Sequence, residues 1–137
     1  MIDSGTQPGG QFWRHRSEAA GLVDDGAFHH GWAEYQELRR AFDAGLASGV
    51  LTYLPGTSVW LARQRDTGDF RLDLAPSFGT GSAATPAVRA GRLVLATGGY
   101  DRQLPVPGWD LPGVMAAGGI QAHVKQNGSL PGSRFVI

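Results

Sequence analysis

The 137-residue sequence carries 12 basic and 12 acidic side chains, so its formal net charge at pH 7 is zero. This balance argues against a nucleic-acid-binding face and against a polybasic membrane surface. The absence of cysteine excludes a disulfide framework, a thiolate metal site and a redox dithiol. No apolar run approaches the ~20 residues that span a bilayer, and no signal-peptide pattern is found. We therefore expect a cytoplasmic protein with one domain-sized core.

Glycine is the most unusual feature of the composition. The chain holds 21 glycines, about twice the average usage, and they follow apolar runs rather than a fixed period. Glycine at the end of an element allows a positive φ or a close approach of the backbone to another group. The pattern indicates either many tight turns or a protein that lies against an extended cofactor.

The first part of the sequence predicts a strand end, a loop and a long helix. Residues 1–3 are typical of the last residues of a strand, and residues 4–10 of the loop that follows. Residues 32–48 predict an amphipathic helix, because apolar side chains recur at spacings of three and four, and Gly49 suits its C-terminal end. The apolar positions are Trp32, Tyr35, Leu38, Phe42 and Leu46.

Three short segments rich in β-forming residues predict an antiparallel meander at about residues 50–75. Each segment alternates apolar and polar side chains and is bounded by turn residues. The segments are residues 50–53, 58–63 and 70–74, with turns at 55–56 and 66–68.

The second part of the sequence predicts a buried strand and a further helix. Residues 76–87 are typical of a small-residue loop, and residues 92–96 of an apolar strand that is buried on both faces. A helix is predicted over residues 116–126, and a final strand begins at residues 133–137.

Asp3 and the glycines that follow it lie where α/β sheets bind ligands. An acidic residue at a strand end can accept hydrogen bonds from ribose hydroxyls, although a lone aspartate near a terminus is more simply a solvated side chain. Gly9, Gly10 and Gln11 can bring the backbone against a planar or phosphorylated ligand. The alternative for these three residues is an ordinary loop before a helix.

Ala96, Thr97 and Gly98 form the second glycine-rich segment, directly after the predicted buried strand. Ligands of open α/β sheets lie beyond the carboxyl ends of the strands, so Thr97 can bind a phosphate or ribose there while Gly98 leaves room. A turn that ends the strand is an equally good explanation of this segment taken alone.

Metal and hydrolytic chemistry find no support in the sequence. His29 and His30 are adjacent, and adjacent side chains point in different directions. His15 and His123 are isolated, and no spacing resembles a zinc site. The Gly-x-Ser-x-Gly pattern of a nucleophilic serine is also missing. The sequence therefore predicts no metal site, and it identifies no catalytic acid or base.

The order of these segments is more specific than any one of them. The motifs "MIDSGTQPGGQFWRH" and "LVLATGGYDRQLPVPGWDLPGVMAAGGIQAHVK" together resemble FAD/NAD(P)-dependent oxidoreductases of the pyridine nucleotide-disulfide oxidoreductase-like fold. Within that family they are most similar to the branch with hydrogen cyanide synthase, opine oxidase and amino-acid dehydrogenase subunits. The resemblance extends over essentially the whole chain.

The resemblance implies a role for each matching position. Asp3 matches the acid that binds the ribose of FAD, and Gly9, Gly10 and Gln11 match the loop beside the ribityl chain and flavin ring. Val59 matches a position whose backbone meets the adenine. The second FAD motif, where a strand end approaches the pyrophosphate and ribityl chain, corresponds to Ala96, Thr97 and Gly98.

The resemblance also implies which parts of the family's fold this chain holds. Residues 1–133 correspond to part of an FAD-binding, Rossmann-like domain with an inserted meander, without its first strand and glycine-rich turn. Residues 134–137 correspond to the start of an NAD(P)-binding domain. We expect a fragment of an oxidoreductase that transfers a hydride from an amine or amino-acid-like substrate to FAD. This fragment is not expected to be active alone, and a second oxidoreductase subunit is an expected partner. The alternative is an inactive or accessory module that packs on a partner chain.

Overall fold

Two helices and a three-stranded antiparallel sheet make up the regular structure of the computed structural model, which describes residues 1–18, 21, 26–77 and 86–137. The chain divides into two units by its internal contacts. The first unit comprises Met1–Pro8 and Ala33–Ala96, and the second comprises Gly9–Trp32 and Thr97–Ile137. The α/β class is confirmed. In chain order, the elements are α1 (Trp32–Ala47), β1 (Thr57–Gln64), β2 (Phe70–Pro76), β3 (Ala87–Ala90) and α2 (Ala117–Lys125).

Helix α1 forms where the three-and-four spacing of apolar residues predicted it. Tyr35 is buried on its apolar face, and Phe42 packs edge-on against the Tyr53 ring at a centroid distance of 5.1 Å. On the polar side, Arg39 and Asp43 form an ion pair one turn apart. Gly49 adopts a φ of 73° after the helix, as expected for a glycine at a helix C-terminus.

The N-terminal segment pairs in parallel with the chain that follows α1. Ile2 and Leu54 form a parallel bridge, in which the Asp3 amide donates to the Leu54 carbonyl at 3.0 Å. Residues 50–53 were expected as the first strand of the meander, and this expectation is wrong. Segment 50–54 instead pairs with the N-terminal residues, because the turn at Pro55 separates it from β1.

The meander is confirmed in kind, but its strands lie further along the chain than residues 50–75. Strands β1, β2 and β3 pair antiparallel in that order. The turn between β1 and β2 closes through the Arg65 amide and the Asp69 carbonyl at 2.8 Å. Residues 87–90, of which Ala87 was expected to end a loop, form β3, since Val88 pairs with Leu72 across the sheet. Of the predicted loop, residues 78–85 lie outside the described residues.

The sheet alternates between an apolar face and a charged face. Leu72 and Leu74 are 5% and 6% exposed, and Asp73 between them points to the opposite face, as the two-residue period of a strand requires. Strand β1 contains a bulge, since Val59 pairs with Leu74 and Leu61 pairs with Asp73. Trp60 therefore has no partner on β2.

Residues 92–96 and 133–137 were expected as strands and are not strands in the structure. Val94 and Leu95 are 86% and 75% exposed, which contradicts the expectation of burial on both faces. A central strand needs a neighbour on each side for its amides and carbonyls, and the described residues provide none for residues 92–96. We call residues 93–106 the irregular segment.

Helix α2 confirms the second predicted helix. Its N-cap residue is Ala116, which has no side chain able to cap the first turn. The last turn carries His123 and Lys125, whose positions suit the negative end of the helix dipole. The predicted end is also confirmed, with Gly128 at a φ of 62°. Among the described residues, no helix has the length and hydropathy that a membrane span requires.

Candidate functional site

The carboxylate of Asp3 is fixed at the end of the parallel pairing in the first unit. Its Oδ1 accepts a hydrogen bond from the Gly5 amide at 2.8 Å, and its Oδ2 accepts one from the Tyr53 hydroxyl at 3.1 Å. A carboxylate oxygen has two acceptor positions, so each oxygen can still accept one hydroxyl. Asp3 is half-buried, and Tyr53 is a partner that sequence reasoning did not identify.

Val59 belongs to the same unit as Asp3. It lies on β1 immediately before the bulge and is 42% exposed. The Asp3 carbonyl accepts a hydrogen bond from the Thr57 amide at 2.9 Å, so the start of β1 is joined to the N-terminal segment. Ala96, at the end of this unit, is exposed.

The loop at Gly9, Gly10 and Gln11 lies in the second unit and contains one helical turn. The Trp13 amide donates to the Gly9 carbonyl at 3.1 Å. Gly9 and Gly10 have φ values of 120° and 58°, which side chains with a Cβ rarely adopt. This turn is all that forms of the helix expected to follow the loop.

The two glycine-rich segments of the second unit meet through one hydrogen bond. The side-chain amide of Gln11 donates to the Gly99 carbonyl at 2.9 Å, although 88 residues separate them. Thr97 and Gly98, directly before Gly99, are exposed, and Gly98 has a φ of 67°. The structure therefore brings the Gly9–Gln11 loop next to Thr97 and Gly98.

A second pair of contacts holds the same two segments at the start of α2. The Arg14 guanidinium donates to the Gly118 carbonyl at 3.3 Å, and the Asp101 carboxylate accepts from the Gly118 amide at 2.6 Å. Asp101 thus supplies the cap that Ala116 lacks. These contacts carry no signature in the sequence, since the partners are 104 and 17 residues apart.

An aromatic cluster packs behind the Gly9–Gln11 loop in the second unit. The Trp32 ring lies 4.6 Å from the His29 ring and 5.6 Å from the His15 ring. His15 is 3% exposed, with Nδ1 2.6 Å from the Trp13 carbonyl and Nε2 3.0 Å from the Glu18 carboxylate. These histidines pack and hydrogen-bond to the loop, and the described residues contain no group of three potential metal ligands.

Relatives of the chain give this arrangement a functional context. The whole chain is 30% identical over 141 residues to an opine oxidase subunit from Rhizobium meliloti (strain 1021), of which it covers 27%. It is 33% identical over 138 residues to the opine oxidase subunit of the same name from Agrobacterium tumefaciens (strain Ach5), of which it covers 26%. No family model and no solved structure matches the chain.

A shorter match is stronger in identity. Hydrogen cyanide synthase subunit HcnB of Pseudomonas aeruginosa is 53% identical over 38 residues, which are 28% of this chain and 8% of that protein. The chain is therefore a homologue of flavin-dependent oxidoreductase subunits, which confirms the resemblance seen in its motifs. Its full-length similarity is to the opine oxidase subunits, and it spans about a quarter of the length of those relatives.

The backbone around Gly10 and Gly98 has room for a flavin. A Cβ added at either glycine would meet no heavy atom within 4 Å, so a planar group can approach this backbone without a clash. Both segments are exposed and joined by the Gln11–Gly99 hydrogen bond. The acceptor positions left on Asp3 suit a vicinal diol. These two sets of residues belong to different units, and each fits its own part of such a cofactor.

Proposed function

We propose that this chain forms part of the FAD site of an oxidoreductase that oxidises an amine or amino-acid-like substrate. The observation that carries the proposal is the Gln11–Gly99 hydrogen bond, which joins two open glycine-rich segments that sequence reasoning assigned independently to FAD. The homology to flavin-dependent subunits supports the same conclusion. When bound, the flavin accepts the hydride equivalent from the substrate.

Each proposed FAD-binding residue has a role that follows from its position. Asp3 accepts hydrogen bonds from the ribose hydroxyls, since both its oxygens are oriented by Gly5 and Tyr53. The backbone of Val59 meets the adenine at the exposed end of β1. These roles fall in the first unit.

The roles proposed in the second unit concern the flavin end of the cofactor. Gly9 and Gly10 allow the backbone to approach the ring, and Gln11 holds that loop against Gly99. Thr97 and Gly98, with Ala96 before them, bind the ribityl chain and pyrophosphate. No residue of this chain is proposed as a catalytic acid or base.

We further propose that residues 1–133 are part of a Rossmann-like FAD-binding domain and that residues 134–137 begin an NAD(P)-binding domain. The parallel pairing of Ile2 with Leu54 across α1 supports this, because parallel strands joined by a helix are the unit of such folds. A cytoplasmic location and a small-molecule substrate belong to the same proposal, as does NAD(P) in the full-length protein.

The second candidate function is an accessory module that packs on a partner chain. The homologues are subunits of larger oxidases, and the irregular segment exposes apolar side chains that water solvates poorly. Leu104 and Val106 are 56% and 57% exposed, in addition to Val94 and Leu95. Size-exclusion chromatography distinguishes the two functions, since a clean monomer that binds flavin argues against dependence on a partner.

The test of FAD binding uses the two halves of the cofactor separately. Backbone amide NMR detects weak binding by this chain, which is expected to be inactive alone. AMP should shift the amides of Asp3 and Val59, while FMN should shift those of Gly10 and Gly98. If neither ligand shifts these amides, or if both shift only residues elsewhere, the proposal is wrong.

A matched pair of variants tests the observation that carries the proposal. Gln11→Ala removes the hydrogen bond to Gly99 and should weaken FMN binding about fivefold, since one neutral hydrogen bond contributes about 1 kcal/mol. Gln103→Ala changes an exposed glutamine of the same unit and should leave the affinity unchanged. Equal effects of the two variants would exclude a role for the Gln11–Gly99 bond.

A further inference from the structure

Three arginines lie in register across the three strands of the meander. Arg63 on β1 is directly opposite Arg71 on β2, and Arg71 is directly opposite Arg89 on β3. Directly opposed residues of antiparallel strands point to the same face of the sheet. We call Arg63, Arg71 and Arg89 the arginine row.

One carboxylate balances the row. Asp73 accepts hydrogen bonds from Arg71 on Oδ1 at 2.9 Å and from Arg63 on Oδ2 at 3.2 Å. The hydrogen bond from Arg71, followed by that from Arg63, lowers the pKa of Asp73 against the opposing effect of desolvation. No acidic side chain among the described residues pairs with Arg89. The row therefore carries two uncompensated positive charges.

The other ion pair on this hairpin does not alter the balance. Arg65 and Asp69 form a salt bridge at 3.2 Å at the turn, so they neutralise each other. Like charges placed directly opposite on a sheet are destabilising. The row thus has an energetic cost for the isolated meander, and an external anion would offset that cost.

The arginine row is accessible and nearly flat. The side chains of Arg63 and Arg71 are 61% and 45% exposed, and Arg89 is also exposed. Strand spacing puts neighbouring arginines about 5 Å apart at the backbone, so the row is about 10 Å long. Guanidinium groups bind carboxylates in a bidentate geometry, and a row on an open sheet face can bind several at once.

We propose that the arginine row is a docking surface for an acidic segment of a partner polypeptide. An open sheet face lacks the concave shape of small-molecule sites, which favours a macromolecule over a free anion. The zero net charge of the chain gives no general attraction for nucleic acid, which favours a protein. The surface does not involve the proposed FAD-binding residues, and the inference stands without flavin binding.

The test is a binding titration of the full chain with poly-L-glutamate, measured by calorimetry at two salt concentrations. Poly-L-glutamate should bind, and binding should weaken as salt rises, because exposed charges are screened. Arg89→Glu should weaken binding about tenfold, since it removes one exposed ion pair and adds a repulsion of similar size. Arg89→Ala should give a smaller loss in the same direction.

The matched control is Arg40→Glu, which makes the same charge change at an exposed position on α1. It should alter poly-L-glutamate affinity by less than about twofold, as for a charge remote from the contact. Equal losses for Arg40→Glu and Arg89→Glu would overturn the proposal, because binding would then follow net charge rather than the row. Preferential binding of inorganic phosphate or of a single-stranded oligonucleotide to the row would also overturn it.

Folding of the variants is checked independently. Arg89→Glu places a carboxylate opposite Arg71, so the Tm should stay the same or rise. A fall in Tm would mean that Arg89 stabilises the meander itself, and this too would contradict the proposal.

Discussion

The meander and the irregular segment are both rich in β-forming residues, but only the meander forms strands. Strands β1 to β3 supply neighbours for one another, and Leu72 and Leu74 are buried on one face. In the irregular segment, Val94 and Leu95 have equally apolar side chains but remain exposed.

The difference shows that apolar composition alone does not determine a strand. A strand needs partners for its amides and carbonyls, and a hairpin provides one within a few residues. The irregular segment has no such local partner among the described residues. Its ordered contacts in the second unit are made by Gly99 and Asp101, through hydrogen bonds to Gln11 and Gly118.

The largest expected effect separates the two regions directly. Leu72→Ala should reduce the free energy of unfolding by about 2–5 kcal/mol, because it leaves a cavity at a buried position. Val94→Ala deletes apolar atoms that are already exposed and should change it by less than about 0.5 kcal/mol. Urea unfolding followed by circular dichroism measures both. Similar losses in the two variants would show that the irregular segment is packed as well as the meander.

The next effect concerns the charged face of the meander and depends on pH. Asp73→Asn should lower the Tm by several degrees at neutral pH, because it removes the one carboxylate among three arginines. The ordinary pKa of this carboxyl is 3.8, and the hydrogen bond from Arg71 lowers it in the folded chain. The stabilisation is therefore complete above pH 3.8 and is lost as the pH falls through the lowered pKa.

Thermal unfolding across a pH series measures this dependence. The difference in Tm between wild type and Asp73→Asn should shrink in acid and be constant near neutrality. Asp66→Asn, at an exposed position in the same hairpin, should show no such pH-dependent difference. A difference that grew on acidification would contradict the assigned sign.

The smallest effect tests the anchor at the end of the irregular region. Asp101→Ala removes the acceptor for the Gly118 amide and should cost about 1 kcal/mol, as for other helix N-caps. Hydrogen exchange of the first-turn amides of α2 should speed up accordingly. Asp110→Ala changes an exposed aspartate of the same unit and should not affect exchange in α2. If it does, the cap is not the source of the protection.

Local patterns predicted much of the regular structure. The three-and-four spacing from Trp32 to Leu46 predicted α1, and the turn residues at 66–68 predicted the hairpin of β1 and β2. Long-range pairing could not be predicted in the same way. Segment 50–54 alternates like a meander strand, but its partner is Ile2, and no local pattern specifies which strand is the neighbour. Strand β3 is short and is hidden in a small-residue region for the same reason.

The candidate site divides similarly. Gly10 and Gly98 could be singled out from the sequence because positive φ favours glycine, and both have it. The partners that position these segments could not be found, since Arg14 and Asp101 meet Gly118 only through the fold. The arginine row was missed because it depends on the register of three strands. The FAD-binding assignments of Asp3, Val59 and the glycine loops remain predictions.

The bulge at Trp60 has a consequence for how the sheet behaves at its edge. Strand β1 ends the order of described strands, so its outer amides and carbonyls could pair with a strand of another molecule. A bulge increases the local twist and interrupts the even spacing of these groups. An added strand would lose register at Val59 and Leu61. The edge is thereby protected from extending into an intermolecular sheet, which lowers the tendency of the chain to aggregate.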